Sequence, residues 1–68
     1  MGSTYKIIEI VGTSDKSWED ATRTAVATAG KSLEELRIAE VTRMDVTIAD
    51  GKVKTFRVRL NVSFKLYE

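Results

Sequence analysis

Three residue types that carry much of protein chemistry are missing from this 68-residue chain: it has no cysteine, no histidine and no proline. Without cysteine there are no disulfides, no thiolate metal sites and no thiol nucleophile. Without histidine the commonest general base and the usual zinc ligand are gone as well. The lack of proline means that nothing interrupts a long strand. A net charge of +1 shows no excess of one sign, so composition points to no nucleic-acid or membrane partner. No apolar run approaches the roughly 20 residues of a membrane span, and the N-terminus lacks a signal-peptide hydrophobic region. Met1-Gly2 begins as a myristoylation signal does, but Lys6 stands where Ser or Thr is needed. The expected location is cytoplasmic.

A single domain of this size buries only about 60% of its unfolded surface and needs a supplement to its core. With disulfides and ordinary metal sites excluded, oligomerisation is what remains. The stretch from Val53 to Tyr67 gives the same answer independently. Phe56, Val58, Leu60, Val62, Phe64 and Leu66 fall on one parity; Arg57, Arg59, Asn61, Ser63, Lys65 and Tyr67 fall on the other. Such alternation describes a strand with one apolar and one polar face. Straight, the run extends roughly 45–50 Å. A compact chain of this length has a radius of gyration near ~11 Å and a diameter under about 30 Å. Either the strand bends sharply or neighbouring copies cover its excess, and we take the second reading.

Residues 1–4 are polar and are set aside as a disordered or vector-derived N-terminus; residues 5–68 form the single domain. Tyr5–Val11 reads as a first strand ended by Gly12. Thr13–Ser17 is turn-forming, and Ser17 with Asp20 makes a near capping box. Trp18, Ala21, Thr22, Ala25, Val26 and Ala29 form one narrow helical stripe, mostly of small side chains. Gly30 suits a left-handed helix terminus, with Lys31 complementing the dipole. Leu36 to about Ala49 is a second long strand. Ala39 and Val41 lie on the opposite parity from Ile38, and Met44, Val46 and Ile48 alternate cleanly, so the strand carries a bulge, a kink or a stretch covered on both faces. Asp50-Gly51 is a strong hairpin signal. The order is β-α-β-β.

Gly12-Thr13-Ser14-Asp15-Lys16-Ser17 leads from strand to helix as a phosphate loop does. That loop needs glycine directly before its lysine, and here Asp15 stands there with a charge that repels phosphate. Trp18 reads as a packing anchor ahead of a ligand platform. Arg57, Arg59 and Lys65 are solvated in a monomer; in an oligomer the same face lines an interface or an internal cavity. Glu9, Glu40, Asp45 and Asp50 are scattered with no loop-type calcium spacing, although symmetry can gather copies of one carboxylate into a cation site. No nucleophile–base pair is visible, so there are no catalytic residues and the chain is not expected to be an enzyme.

Tyr5-Lys6-Ile7-Ile8-Glu9-Ile10-Val11-Gly12-Thr13-Ser14, the helix start at Ser17, Glu40-Val41 and Val62-Ser63-Phe64-Lys65-Leu66 together resemble the dodecins. The resemblance covers nearly the whole chain. It implies an α+β fold, β-α-β-β, with a three-stranded antiparallel sheet wrapped around one helix. It also implies a hollow homododecamer that binds and stores a small ligand. Typical dodecins stack a flavin on a tryptophan of the second strand and hydrogen-bond it through a glutamine of the third. The second strand, typically Trp-(Phe/Ala)-Glu-Val, here reads Ile38-Ala39-Glu40-Val41, so Ile38 takes the tryptophan position and Arg57 the glutamine position. The pocket so implied comprises Ile38, Arg57, Glu40 and Asp45, with Glu40, Asp45 or an anionic ligand answering the Arg57 charge. Flavin (FMN or riboflavin) binding is expected to be weak or absent. The changes resemble a divergent branch that includes a calcium dodecin, which implies a calcium-binding or purely structural cage as the alternative; the metal ligands stay unassigned.

Overall fold

A computed structural model describes residues 2–67 of the chain. Four elements follow in order: β1 (Thr4–Ser14), α1 (Trp18–Ser32), β2 (Leu36–Ala49) and β3 (Lys52–Leu66). The sheet runs β1-β3-β2, and both outer strands pair antiparallel with β3. The β-α-β-β order and the antiparallel three-stranded sheet are as the sequence predicts. Asp50 and Gly51 take φ values of 52° and 74°, the two left-handed residues that a tight hairpin with the native strand twist requires.

Three boundaries differ from the sequence reading. Gly12 does not end β1; it lies inside the strand, buried, and β1 continues through Thr13 and Ser14. A side chain there would meet the Ala21 carbonyl oxygen and lie 2.7 Å from the Ala25 Cβ. The glycine therefore serves close approach of strand and helix, not termination. Nor does Gly30 end α1. The helix runs on to Ser32 and closes at Leu33, whose N–H reaches the Ala29 carbonyl at 3.0 Å with an extended φ of −121°. The left-handed residue of this connection is Glu35, at φ 59°. Finally, β1 opens at Thr4, which pairs with Leu66, one residue earlier than the domain start read from sequence.

At the helix start, the Ser17 hydroxyl accepts from the Asp20 N–H at 2.9 Å. The reciprocal half of the capping box is absent, because Asp20 Oδ2 instead accepts from the Ser14 hydroxyl at 2.6 Å. Glu19 and Asp20 in the first turn and Lys31 in the last complement the helix dipole.

The core is small. Ala21 and Ala25 of α1 press on Val58, Leu60 and Val62 of β3, with Ile8, Ile10, Trp18 and Leu36 around them. A 15-residue helix is about 22 Å long, whereas the molecule measures 53 × 20 × 13 Å. Its radius of gyration of 14.1 Å exceeds the ~11 Å of a compact chain of this length. β3 runs on past the helix, and Ile7, Val11, Ile38, Val41, Met44 and Ile48 stand exposed.

Candidate functional site

The face of the sheet turned away from α1 carries the polar parity of β3, and the register decides what meets it. On the β1 side Val11 lies opposite Arg59, Glu9 opposite Asn61 and Ile7 opposite Ser63. On the β2 side Asp45 lies opposite Arg57, Arg43 opposite Arg59, Glu40 opposite Asn61 and Ile38 opposite Ser63. The side chains of this face come from all three strands, which no local sequence pattern displays.

Arg57 and Asp45 form a bidentate pair, Nε to Oδ1 at 2.7 Å and Nη2 to Oδ2 at 3.1 Å. That fork geometry is the strong form of an arginine–carboxylate contact. The hydrogen bond from Arg57 holds the Asp45 carboxyl below the ordinary carboxylate value; desolvation opposes it, and the Arg57, Arg59 and Arg43 charges each add a lesser lowering effect. The same hydrogen bond raises Arg57. Among the carboxylates offered as partners for Arg57, the chain itself supplies Asp45. Trp18 braces this point from the helix side: its ring meets Phe56 edge-to-face at 5.1 Å between centroids, and its Nε1–H donates to the Asp45 carbonyl at 3.0 Å. It is a packing anchor with its polar tip satisfied.

Ile38 and Glu40 sit elsewhere on the face. Ile38 is exposed, and its backbone is clasped by Ser63, which accepts from the Ile38 N–H at 3.2 Å and donates to its carbonyl at 3.4 Å. From the Ile38–Ser63 rung to the Asp45–Arg57 rung is six residues along β3, or about 20 Å. The four predicted residues thus form two separate pairs within one chain: Arg57 with Asp45, and Ile38 with Glu40. A ligand touching both Ile38 and Arg57 spans that gap or bridges two chains.

Sequence reasoning missed two residues. Ser63 was read only as part of a polar parity, and its clasp on Ile38 has no local signal. Arg43 was passed over because the parity change in β2 hid its face. Among the described residues no three carboxylates come together where one chain could hold a metal ion. A concavity of about 490 Å³ lies between β1 and α1 and is lined by Ile8, Ile10, Thr24, Ala25, Thr28 and Leu33 among others. None of the four predicted residues reaches it.

The chain matches the family described as Dodecin over residues 4–67. It is 43% identical to a dodecin of Thermus thermophilus over 68 residues, covering 100% of this chain and 99% of the relative. It is 42% identical to a calcium dodecin of Mycobacterium tuberculosis over 64 residues, 94% of this chain and 90% of the relative. A solved structure of calcium dodecin from Mycobacterium tuberculosis, described as calcium-chelating with a novel calcium-binding site, is 44% identical and matches with a TM-score of 0.84 over 96% of this chain and 93% of the other.

Proposed function

This chain belongs to the dodecin family, and from that premise we propose that it assembles into a hollow homododecamer that binds and stores a small ligand without catalysis. The observation that carries the proposal is the mismatch between helix and sheet. A helix of about 22 Å leaves much of a 53 Å molecule without a partner of its own, with Ile7, Val11, Val41 and Met44 exposed on two different faces. Large exposed apolar surfaces mark interfaces, and a core of five buried side chains is thin for a chain that folds alone. Copies of the chain cover these surfaces in the proposed cage.

The ligand pocket is shared between copies in this reading, because Ile38 lies about 20 Å and Glu40 about 13 Å along the strand from the Arg57–Asp45 rung of the same chain. Ile38 offers no π-face, and Arg57 is a donor without acceptor capacity that is already engaged by Asp45. The residues present therefore do not fit a flavin held by ring stacking and an amide. A cation is the second reading, favoured by the similarity to calcium dodecin. It needs carboxylates from several copies, since no single chain gathers three among the described residues.

Native mass spectrometry of the untreated protein tests the reading. Twelve chains of 7.6 kDa give an assembly near 91 kDa, and any retained ligand adds its mass. A folded monomer at micromolar concentration overturns it.

A further inference from the structure

β2 departs from regular pairing at Thr42. From Ile38, opposite Ser63, to Val41, opposite Leu60, the strand keeps one register; from Arg43, opposite Arg59, to Thr47, opposite Thr55, it keeps another, with further shifts outside these segments at Leu36/Ile38 and Thr47/Ile48. Thr42 is the extra residue, and its hydroxyl donates to the Arg59 carbonyl at 3.2 Å. Without the bulge, regular pairing would place Thr42 opposite Arg59 and Arg43 opposite Val58, on the helix side. The bulge turns Arg43 onto the helix-free face, directly across from another arginine. Like charges directly opposite on a sheet are destabilising, so the register brings together two groups that repel.

Among the described residues no carboxylate is paired with either of them, although both lie within reach of the Asp45 charge. Arg43, Arg57 and Arg59 line one narrow cleft of about 10 Å³ with Asp45, Val11 and Val58, so an oxyanion would sit at its mouth and not inside it. The Asp45 carboxylate is taken by Arg57. Arg59 faces Val11 on its other side, and among the described residues neither Arg43 nor Arg59 forms an ion pair. Three guanidiniums thus surround one carboxylate in a protein whose net charge is only +1.

We propose that Arg43 and Arg59, set face to face by the Thr42 bulge, form a binding site for a phosphate group, either the free ion or a phosphate ester whose apolar body rests on Val11. Two guanidinium forks are the geometry that takes an oxyanion by paired charge-assisted hydrogen bonds. Asp45 keeps Arg57 fixed at the rim. The proposal rests on the ligand-binding reading above for its purpose and narrows the ligand to an anion.

The test titrates inorganic phosphate into the purified protein at low ionic strength, with sodium chloride at matched ionic strength as the control, followed by calorimetry and thermal melting. Phosphate is expected to bind and raise the midpoint where chloride does not. Arg43→Gln and Arg59→Gln are each expected to weaken phosphate by about tenfold or more, the loss of a hydrogen bond between charged groups. In phosphate-free buffer the same variants are expected to melt at the same temperature or higher, because a repulsion has been removed. Arg59→Lys keeps the charge and loses the fork, and is expected to bind with intermediate strength. Two results overturn the site: an equal loss in Arg23→Gln, which marks general screening, or a lower phosphate-free midpoint with altered mass, which marks arginines paired to carboxylates of another copy. Tighter binding of phenyl phosphate supports an ester on Val11; equal binding supports the free ion. Light scattering on the same samples keeps the two readings apart. A monomer with arginine-dependent phosphate binding sinks the cage alone, and a dodecamer without it sinks the site alone.

Discussion

Gly12 is where β1 and α1 come closest, and the approach leaves no room for a Cβ. Any side chain meets helix backbone at Ala21 and the Ala25 methyl group at 2.7 Å, neither of which can rotate away. Gly12→Ala is expected to destabilise by about 1–3 kcal/mol or more, the cost of overpacking, read as a lower urea midpoint with unchanged slope. Asp45 makes a prediction of a different kind. Its carboxyl titrates below the ordinary value in the folded protein, so its contribution is complete above that value and is lost as pH falls through the lowered one. Asp45→Asn is expected to melt below the unmodified protein at about pH 7, with the gap closing in acid below about pH 4. Because the pair is exposed, high salt is expected to narrow the gap as well. A gap that persists unchanged in acid would show that the carboxylate charge is irrelevant.

At the scale of elements, the Thr42 bulge separates two segments of β2, Ile38 to Val41 and Arg43 to Thr47, that are each in register with β3. Removing Thr42 alone leaves every other β2–β3 partner where it is: Val41 stays opposite Leu60 and Arg43 opposite Arg59. The Thr42 deletion is therefore expected to fold and to cost about 0.5–1.5 kcal/mol, roughly the side-chain hydrogen bond that goes with it. Asn61 makes the contrast. It is paired on both sides, with Glu9 and with Glu40, and its deletion slips both ladders and turns the buried Val58 and Leu60 outward relative to Val62. That variant is expected not to fold. Circular dichroism and melting of the two deletions side by side check the assignment, and equal behaviour would refute it.

For the whole molecule, the elongated 53 × 20 × 13 Å shape and thin core make stability a property of the proposed assembly more than of the chain. Melting is expected to depend on protein concentration, or to be slow enough to depend on scan rate; a midpoint independent of both would place the stability inside the single chain. The proposed shared pocket makes a further demand. Riboflavin and FMN are expected to quench weakly or not at all on titration. Ile38→Trp combined with Arg57→Gln is expected to recover measurable binding, with neither change sufficient alone, since ring and amide act on one ligand. Submicromolar quenching by the unmodified protein would show that Ile38 and Arg57 do not govern the pocket.

Element order, the two faces of β3, the Asp50-Gly51 hairpin and the Ser17 cap were all legible in the sequence. Each rests on residues within a few positions of one another, where alternation, turn chemistry and capping operate. Even the break in β2 showed as a change of parity, though not which residue made it. Residue pairing was a matter for the tertiary structure. Nothing local marks Gly12 as a contact with Ala21, since a strand glycine reads as a terminator until a helix is laid on it. Asp45 meets Arg57, and Arg43 meets Arg59, only because two strands joined by a hairpin take one register on each side of a one-residue bulge. Ile38 and Arg57, adjacent in the implied pocket, are about 20 Å apart for the same reason: strands are stiff, and the ladder between them sets distances that sequence spacing does not encode.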